Sequence, residues 1–247
     1  MGFMDFDLFK NIIDQIEGSI PYITFASRGE PTLHPKFIEM LDYCKGKFKD
    51  IKINTNASTL TKNKIEKIIE ICDTVVFSID SPNKEIYPKI RIGGNFDRVL
   101  KNIDLFNKIR SIHPRGKKVN SRASGVLYDK ENQSMEEYKK VFSPLFDETA
   151  FVQYNPWEKI YSLPENDITK PCQQPFFRFF AWFDGSFNCC DMDYKSELSK
   201  NSQKISAEYT IGDAWNSEIM KSIRHLHHTG QRNTLEPCKR CPIEPSK

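Results

Sequence analysis

The 247-residue sequence predicts an α/β fold, a parallel sheet wound with helices and followed by a small cysteine-rich module of hairpin and helix. Three observations predict it. Short apolar runs alternate with amphipathic stretches through the first two thirds of the chain. Polar residues fall at the ends of those apolar runs, and four cysteines gather in the last third, at positions 172, 190, 238 and 241.

Phe6, Phe9, Ile12, Ile13 and Ile16 stand at helical spacing, so Asp5 to Ile16 is a predicted helix ended by Gly18. Tyr22 to Phe25 is a short apolar run and reads as a buried strand that feeds a turn, Ser27-Arg28-Gly29-Glu30-Pro31. Pro35 to Tyr43 is the next helix and Ile51 to Asn56 a strand with a polar end; Lys62 to Ile71 and Thr74 to Ile79 repeat the pair. Phe96 to Ile112 carries Phe96, Val99, Leu100, Ile103, Phe106 and Ile109 in helical phase. Val119 to Leu127, Met135 to Leu145 and Ala150 to Tyr154 read as strand, helix and strand. Strands alternating with helices in this way imply parallel strands joined by right-handed crossovers, and a (β/α) barrel puts its chemistry at the C-terminal strand ends. The polar ends at Arg28-Gly29-Glu30, Thr55-Asn56, Ser78-Asp80, Arg122-Ser124 and Tyr154-Asn155 fit one polar mouth; they equally fit the general polarity of loops.

Hydrophobic residues at 38% allow a core, and a formal charge of +3 with lysines scattered among acids reads as a solvated surface, not a nucleic-acid footprint. No apolar stretch reaches membrane-span length and the N-terminal residues lack a signal-peptide pattern, so the expected setting is cytoplasmic, with neither nucleic acid nor membrane as partner. Seven cysteines, an odd number, point to metal or thiol chemistry in a reducing compartment.

Cys238 and Cys241 form a Cys-x-x-Cys pair between Pro237 and Pro242, a spacing that turns two sulfurs towards one ion. Asp184-Gly185 between aromatic runs signals a hairpin, which brings Cys172 and Cys190 near each other from its two ends. Four thiolates suit zinc or an iron–sulfur cluster; only one pair here is close in sequence, which favours the cluster. Adjacent strand side chains point to opposite faces, so only one of Cys189 and Cys190 joins the set. Cys44 and Cys72 read as ordinary buried thiols. His225, His227 and His228 read as a solvated end of a helix from Ser217 to His228, and the aromatic residues between Phe176 and Phe183 as the core of the small module. Tyr154, Trp157 and Tyr161 either line a pocket or pack between two domains.

Gly29-Glu30-Pro31-Thr32-Leu33-His34-Pro35, Asn54-Thr55-Asn56, Ser78-Ile79-Asp80 and Ile90 to Phe96 resemble, in order and spacing, the barrel motifs of radical S-adenosylmethionine (SAM) enzymes. The tail resembles the SPASM-type or half-length twitch-type extension, through Phe183-Asp184-Gly185, Cys190-Asp191-Met192-Asp193, Ile211-Gly212-Asp213, Trp215 and Cys238-Lys239-Arg240-Cys241. The resemblance implies a partial barrel over residues 1–165 and an iron–sulfur module over 166–247. It implies an auxiliary [4Fe–4S] cluster on Cys172, Cys190, Cys238 and Cys241. Gly29, Glu30 and Pro31 would meet the SAM amine, Asn56 and Ser78 the methionyl or ribose part, and Arg91 the SAM carboxylate. The parent reaction is reductive SAM cleavage followed by hydrogen abstraction from a peptide, a sugar or another small molecule, with a reductant such as a flavodoxin or ferredoxin. On the residues alone, Glu30 reads first as a helix N-terminal acid, Ser78 as a strand-end hydroxyl and Arg91 as a surface arginine.

The family's Cys-x-x-x-Cys-x-x-Cys loop does not occur in these 247 residues, and five of its usual six strands are countable. The expected fold is therefore an incomplete parallel (β/α) barrel of the radical SAM type, truncated or degenerate, that cleaves no SAM by itself. The alternative is a non-catalytic iron–sulfur or zinc-binding module.

Overall fold

The computed structural model describes residues 2–26, 28–128, 131 and 133–243. In chain order its elements are α1 (Phe6–Ile16), β1 (Tyr22–Phe25), α2 (Phe37–Cys44), β2 (Asp50–Thr55), α3 (Lys62–Ile71), β3 (Thr74–Ser78), α4 (Tyr87–Ile90) and α5 (Phe96–Ile112). There follow β4 (Asn120–Leu127), α6 (Met135–Phe142), β5 (Glu148–Gln153), α7 (Gln174–Phe177), β6 (Phe180–Ala181), β7 (Phe187–Asn188), α8 (Ile211–Trp215) and α9 (Glu218–His228). Two compact units result, Glu17–Tyr154, and Met1–Ile16 together with Asn155–Lys247.

In the unit Glu17–Tyr154, five strands pair in parallel in the order β1-β2-β3-β4-β5. Strand alternation divides the sheet into two faces. Ile51 and Ile53 of β2, Val75 and Phe77 of β3, and Ala123 of β4 are buried. Phe77 meets Phe106 of α5 and Phe146 with ring centroids 5.0 and 5.1 Å apart. On the other face, register aligns Thr24, Lys52, Thr74 and Asn120 in one row and Asn54, Val76, Arg122 and Glu148 in the next. This second face is polar apart from Val76, while helices α3, α5 and α6 add the buried side chains Ile65, Ile68, Ile103, Phe106 and Phe142 to the core.

Helix starts lie where the side chains can cap them. Thr61, Asn95 and Ser134 each accept an N–H three residues on, opening α3, α5 and α6. Gly125 of β4 permits a close approach: a Cβ there would lie 2.9 Å from the Ile79 carbonyl and 3.1 Å from the Tyr138 ring. Tyr138 uses that space to donate its hydroxyl to the Ile79 carbonyl at 3.0 Å.

In the other unit, β6 and β7 form an antiparallel pair that registers Phe180 with Asn188 and Ala181 with Phe187. Gly185 occupies the turn at φ 80°, a conformation that favours glycine. Ile12 of α1 packs in one core with Phe187, Cys189, Leu198, Ile205, Ala214, Met220 and Ile223. Gln15 of α1 adds two hydrogen bonds, accepting from the Ile211 N–H at 2.6 Å and donating to the Ser206 carbonyl at 3.1 Å. The expected aromatic core forms only in part. Phe179 stacks on Phe187 at 5.1 Å, whereas Phe177 and Phe183 are 78% and 42% exposed. Two-residue strands are too short to turn six aromatic side chains within eight positions inward. No helix among the described residues is long and apolar enough to cross a membrane.

Candidate metal centre and cofactor site

Cys172, Cys190 and the Cys238–Cys241 pair come from three separate segments and line one cavity of about 20 Å³, together with His227, Arg232, Pro175, Met192, Leu198 and Pro237. The cavity admits about one water molecule. Its donor set, four free thiols, fits a thiophilic metal or cluster. The cage is not preformed: among the described residues no three His, Cys, Asp or Glu side chains stand where they could hold an ion. Burial pushes the Cys190, Cys238 and Cys241 thiols above their ordinary range. Burial likewise pushes Cys189 up to about 12; this residue is not among those lining the cavity and belongs to the core around Phe187, which Leu198 and Cys238 share.

The Cys-x-x-Cys loop is a 3-10 turn closed by the Cys241 N–H on the Cys238 carbonyl at 3.2 Å. Glu165 and Glu236 pin it from outside: each contacts both Lys239 and Arg240, at 2.8 to 3.0 Å. Asn166 donates its Nδ2 to the Cys241 carbonyl at 3.1 Å and accepts the Ile168 N–H at its Oδ1. Tyr161 donates its hydroxyl to Asp193 and packs its ring on Tyr194, 5.4 Å away, where Trp157 also packs. Tyr154 packs on Tyr128 within the unit Glu17–Tyr154.

His227 corrects the sequence reading. His225 and His228 are exposed as expected, but His227 is 1% exposed and faces the cysteines. Its signal was the spacing: Met220, Ile223 and His227 form the buried stripe of α9. Burial, reinforced by the Arg232 charge, pulls the imidazole down to about 4, so the ring is neutral at ordinary pH. Arg232, also 1% exposed, went unnoticed because Gly230-Gln231-Arg232-Asn233-Thr234 reads as a polar loop. Cys44 and Cys72 are buried and free, as expected, with burial pushing Cys44 up to about 12.

The candidate cofactor residues lie at the C-terminal strand ends of the unit Glu17–Tyr154. Glu30 caps the 3-10 turn Pro31–Leu33, accepting from the Thr32 N–H. Its Oε1 also accepts from the Thr32 hydroxyl at 2.5 Å and the Thr55 hydroxyl at 2.8 Å, and its Oε2 from the Asn56 N–H at 2.7 Å. The carboxylate therefore fastens the end of β1 to the end of β2. Gly29 is exposed, with open space where a side chain would be. Ser78 is half-buried and its hydroxyl has no partner among the described residues. Arg91 follows α4 and donates Nε to the buried Asp80 at 2.5 Å, while its two Nη nitrogens have no partner among the described residues. It is thus neither a free surface arginine nor fully engaged. Asp80 in turn accepts from the Val126 N–H at 2.8 Å, and Gln133 donates to the Asp80 carbonyl at 2.6 Å. A larger cavity of about 350 Å³ lies towards the other ends of the strands, between Tyr22, Asp50, Lys52, Asn120, Arg122 and Glu148. None of the six candidate cofactor residues lines it.

Residues 1–121 match the family model of the Radical SAM superfamily. Among curated relatives, 82 residues are 38% identical to the tungsten-containing aldehyde ferredoxin oxidoreductase cofactor-modifying protein of Pyrococcus furiosus, covering 32% of this chain and 23% of that protein. The chain therefore spans about a quarter of that relative's length. Among solved structures, BtrN in complex with AdoMet and 2-DOIA aligns with a TM-score of 0.61 at 15% identity, over 98% of this chain and 82% of the other. Streptococcus suis SuiB bound to precursor peptide SuiA aligns with a TM-score of 0.64 at 16% identity, over 88% of this chain and 59% of the other. At that identity the likeness establishes the fold: five parallel strands of a partial barrel, with a cysteine-rich region and a small hairpin.

Proposed function

We propose that this chain is a radical SAM protein that carries one auxiliary [4Fe–4S] cluster on Cys172, Cys190, Cys238 and Cys241. The observation that supports it most is that four cysteines spread over 70 positions of sequence face one cavity, while Cys189 turns into the core. When bound, such a cluster supplies one-electron chemistry. The protein's part is to hold four thiolates, seal them under Pro175, Met192, Leu198 and Pro237, and fix the Cys-x-x-Cys loop through Glu165 and Glu236.

The same reading gives SAM to the strand ends. Glu30, held rigid by three groups besides its own cap, presents a carboxylate to the methionyl ammonium beside Gly29 and Pro31. Arg91, aimed by Asp80, presents two unengaged nitrogens to the carboxylate, a bidentate match. Ser78 and Asn56 offer hydroxyl and amide groups to the remaining polar atoms. BtrN, solved in complex with 2-DOIA, and SuiB, solved bound to precursor peptide SuiA, support a peptide, a sugar or another small molecule as the substrate class. A cytoplasmic setting and a flavodoxin or ferredoxin as electron donor complete the reading.

Anaerobic reconstitution with iron and sulfide tests it. About four irons and four sulfides per chain, lost in Cys238→Ala and retained in Cys189→Ala, are expected. One zinc per chain with no sulfide would instead establish a structural zinc module.

A further inference from the structure

The cavity lined by the four cysteines is also lined by two buried polar side chains, His227 and Arg232. His227 has different partners at its two ring nitrogens. The Cys172 N–H donates to Nδ1 at 3.2 Å, so Nδ1 is the acceptor and a neutral ring carries its proton on Nε2. That nitrogen lies 3.5 Å from the Cys238 sulfur. The geometry is an N–H donor aimed at a sulfur, and the ring is oriented by the backbone of a second cysteine.

Arg232 is equally buried, and a guanidinium does not shed its charge in a protein. Its Nη1 and Nη2 face the Lys170 and Cys241 carbonyls at a long 3.4 Å, and its buried Nε has no partner. No carboxylate pairs with it among the described residues. A cation so placed needs a counter-charge, and the groups that share its cavity are thiols.

We propose that His227 and Arg232 set the redox poise of the cysteine-held centre: His227 donates its Nε2–H to the Cys238 sulfur, and Arg232 balances the thiolate charge. Both act on the ligands and neither binds iron. The reduced centre carries one more negative charge than the oxidised one, so a hydrogen bond to sulfur and a fixed cation both favour reduction. This inference rests on the cluster reading above, and its test separates the two.

The full chain is reconstituted with iron and sulfide, and its iron is counted first. Absence of a cluster in the parent protein overturns both readings. With the cluster present, potentiometric titration with dye mediators, followed by electron paramagnetic resonance, gives the midpoint potential. His227→Phe should shift it negative and His227→Gln, which keeps an N–H donor, should stay nearer the parent; Arg232→Met should also shift it negative while Arg232→Lys stays nearer the parent. Midpoints that do not differ among these proteins overturn the inference and leave the cluster reading intact. If the Phe or Met variants fail to fold, the parent protein labelled with ¹⁵N-histidine decides. A weak ¹⁵N coupling in pulsed resonance is the expected result. A strong coupling, which marks a directly bound imidazole, or none at all, overturns it.

Discussion

Glu30→Ala separates a structural carboxylate from a merely exposed one. In the folded chain Glu30 takes four donors: the Thr32 N–H and hydroxyl, the Thr55 hydroxyl and the Asn56 N–H. Removal does not orphan all of them. Thr32 can turn its hydroxyl to Thr59, 2.6 Å away, and its N–H opens only a short 3-10 turn. The Thr55 hydroxyl, on a side chain 1% exposed, and the Asn56 N–H are left without an acceptor. At about 1.5 kcal/mol for each charge-assisted bond, the loss is about 3 kcal/mol, roughly two orders of magnitude in the folding equilibrium. Glu30→Gln keeps one carbonyl oxygen for the hydroxyls but turns an NH₂ towards the Asn56 N–H, so about half that loss is expected. Urea titration by circular dichroism measures the ordering parent, Gln, Ala, and amide exchange of residues 50–60 shows whether the effect is local. A change below about 0.5 kcal/mol for Glu30→Ala would refute the claim that this carboxylate joins the two strand ends.

Four further outcomes follow from the geometry. Gly125→Ala should destabilise by about 1–3 kcal/mol in the same titration, because its Cβ meets the Ile79 carbonyl and the Tyr138 ring, and neither can withdraw cheaply. Tyr138→Phe should cost about 1 kcal/mol by leaving the Ile79 carbonyl unpaired. Lys45 and Lys67 hold the Glu70 carboxyl at about 2 against an ordinary 4.5. A depressed carboxyl contributes its full stability above the ordinary value and loses it as pH falls from about 4.5 through about 2, so Glu70→Gln should flatten the acid limb of the stability curve over that window. Cys190→Ser should abolish iron retention on reconstitution while Cys189→Ser keeps it, measured as iron per chain after desalting.

Much of the barrel was legible because its signals are local. The helices Lys62 to Ile71 and Phe96 to Ile112 sit where apolar spacing put them, and Asp184-Gly185 marks the hairpin turn; the strand Tyr22 to Phe25 forms where expected but is not buried, because it ends the sheet among the described residues and Tyr22 is 65% exposed. What escaped were side chains whose role depends on distant partners. His227 looked like one cation among three at a helix end; its burial comes from the Cys238 loop, 11 positions away, which covers it. Arg232 resembles any loop arginine until the fold closes four thiols around it. The Asp80–Arg91 pair joins residues that the sequence placed in separate motifs. The packing of Ile12 with Phe187 and Ile205 crosses most of the chain, beyond the reach of periodicity.

The claim that everything else depends on is that Cys172, Cys190, Cys238 and Cys241 enclose one complete cluster. Mössbauer spectroscopy of ⁵⁷Fe-reconstituted chain tests it most directly, with SAM added in excess. Four thiolates occupy all four corners, so the spectrum should show a single four-iron cluster that SAM leaves unchanged. A distinct iron site that shifts when SAM is added, or iron that fails to bind while zinc does, would contradict the account.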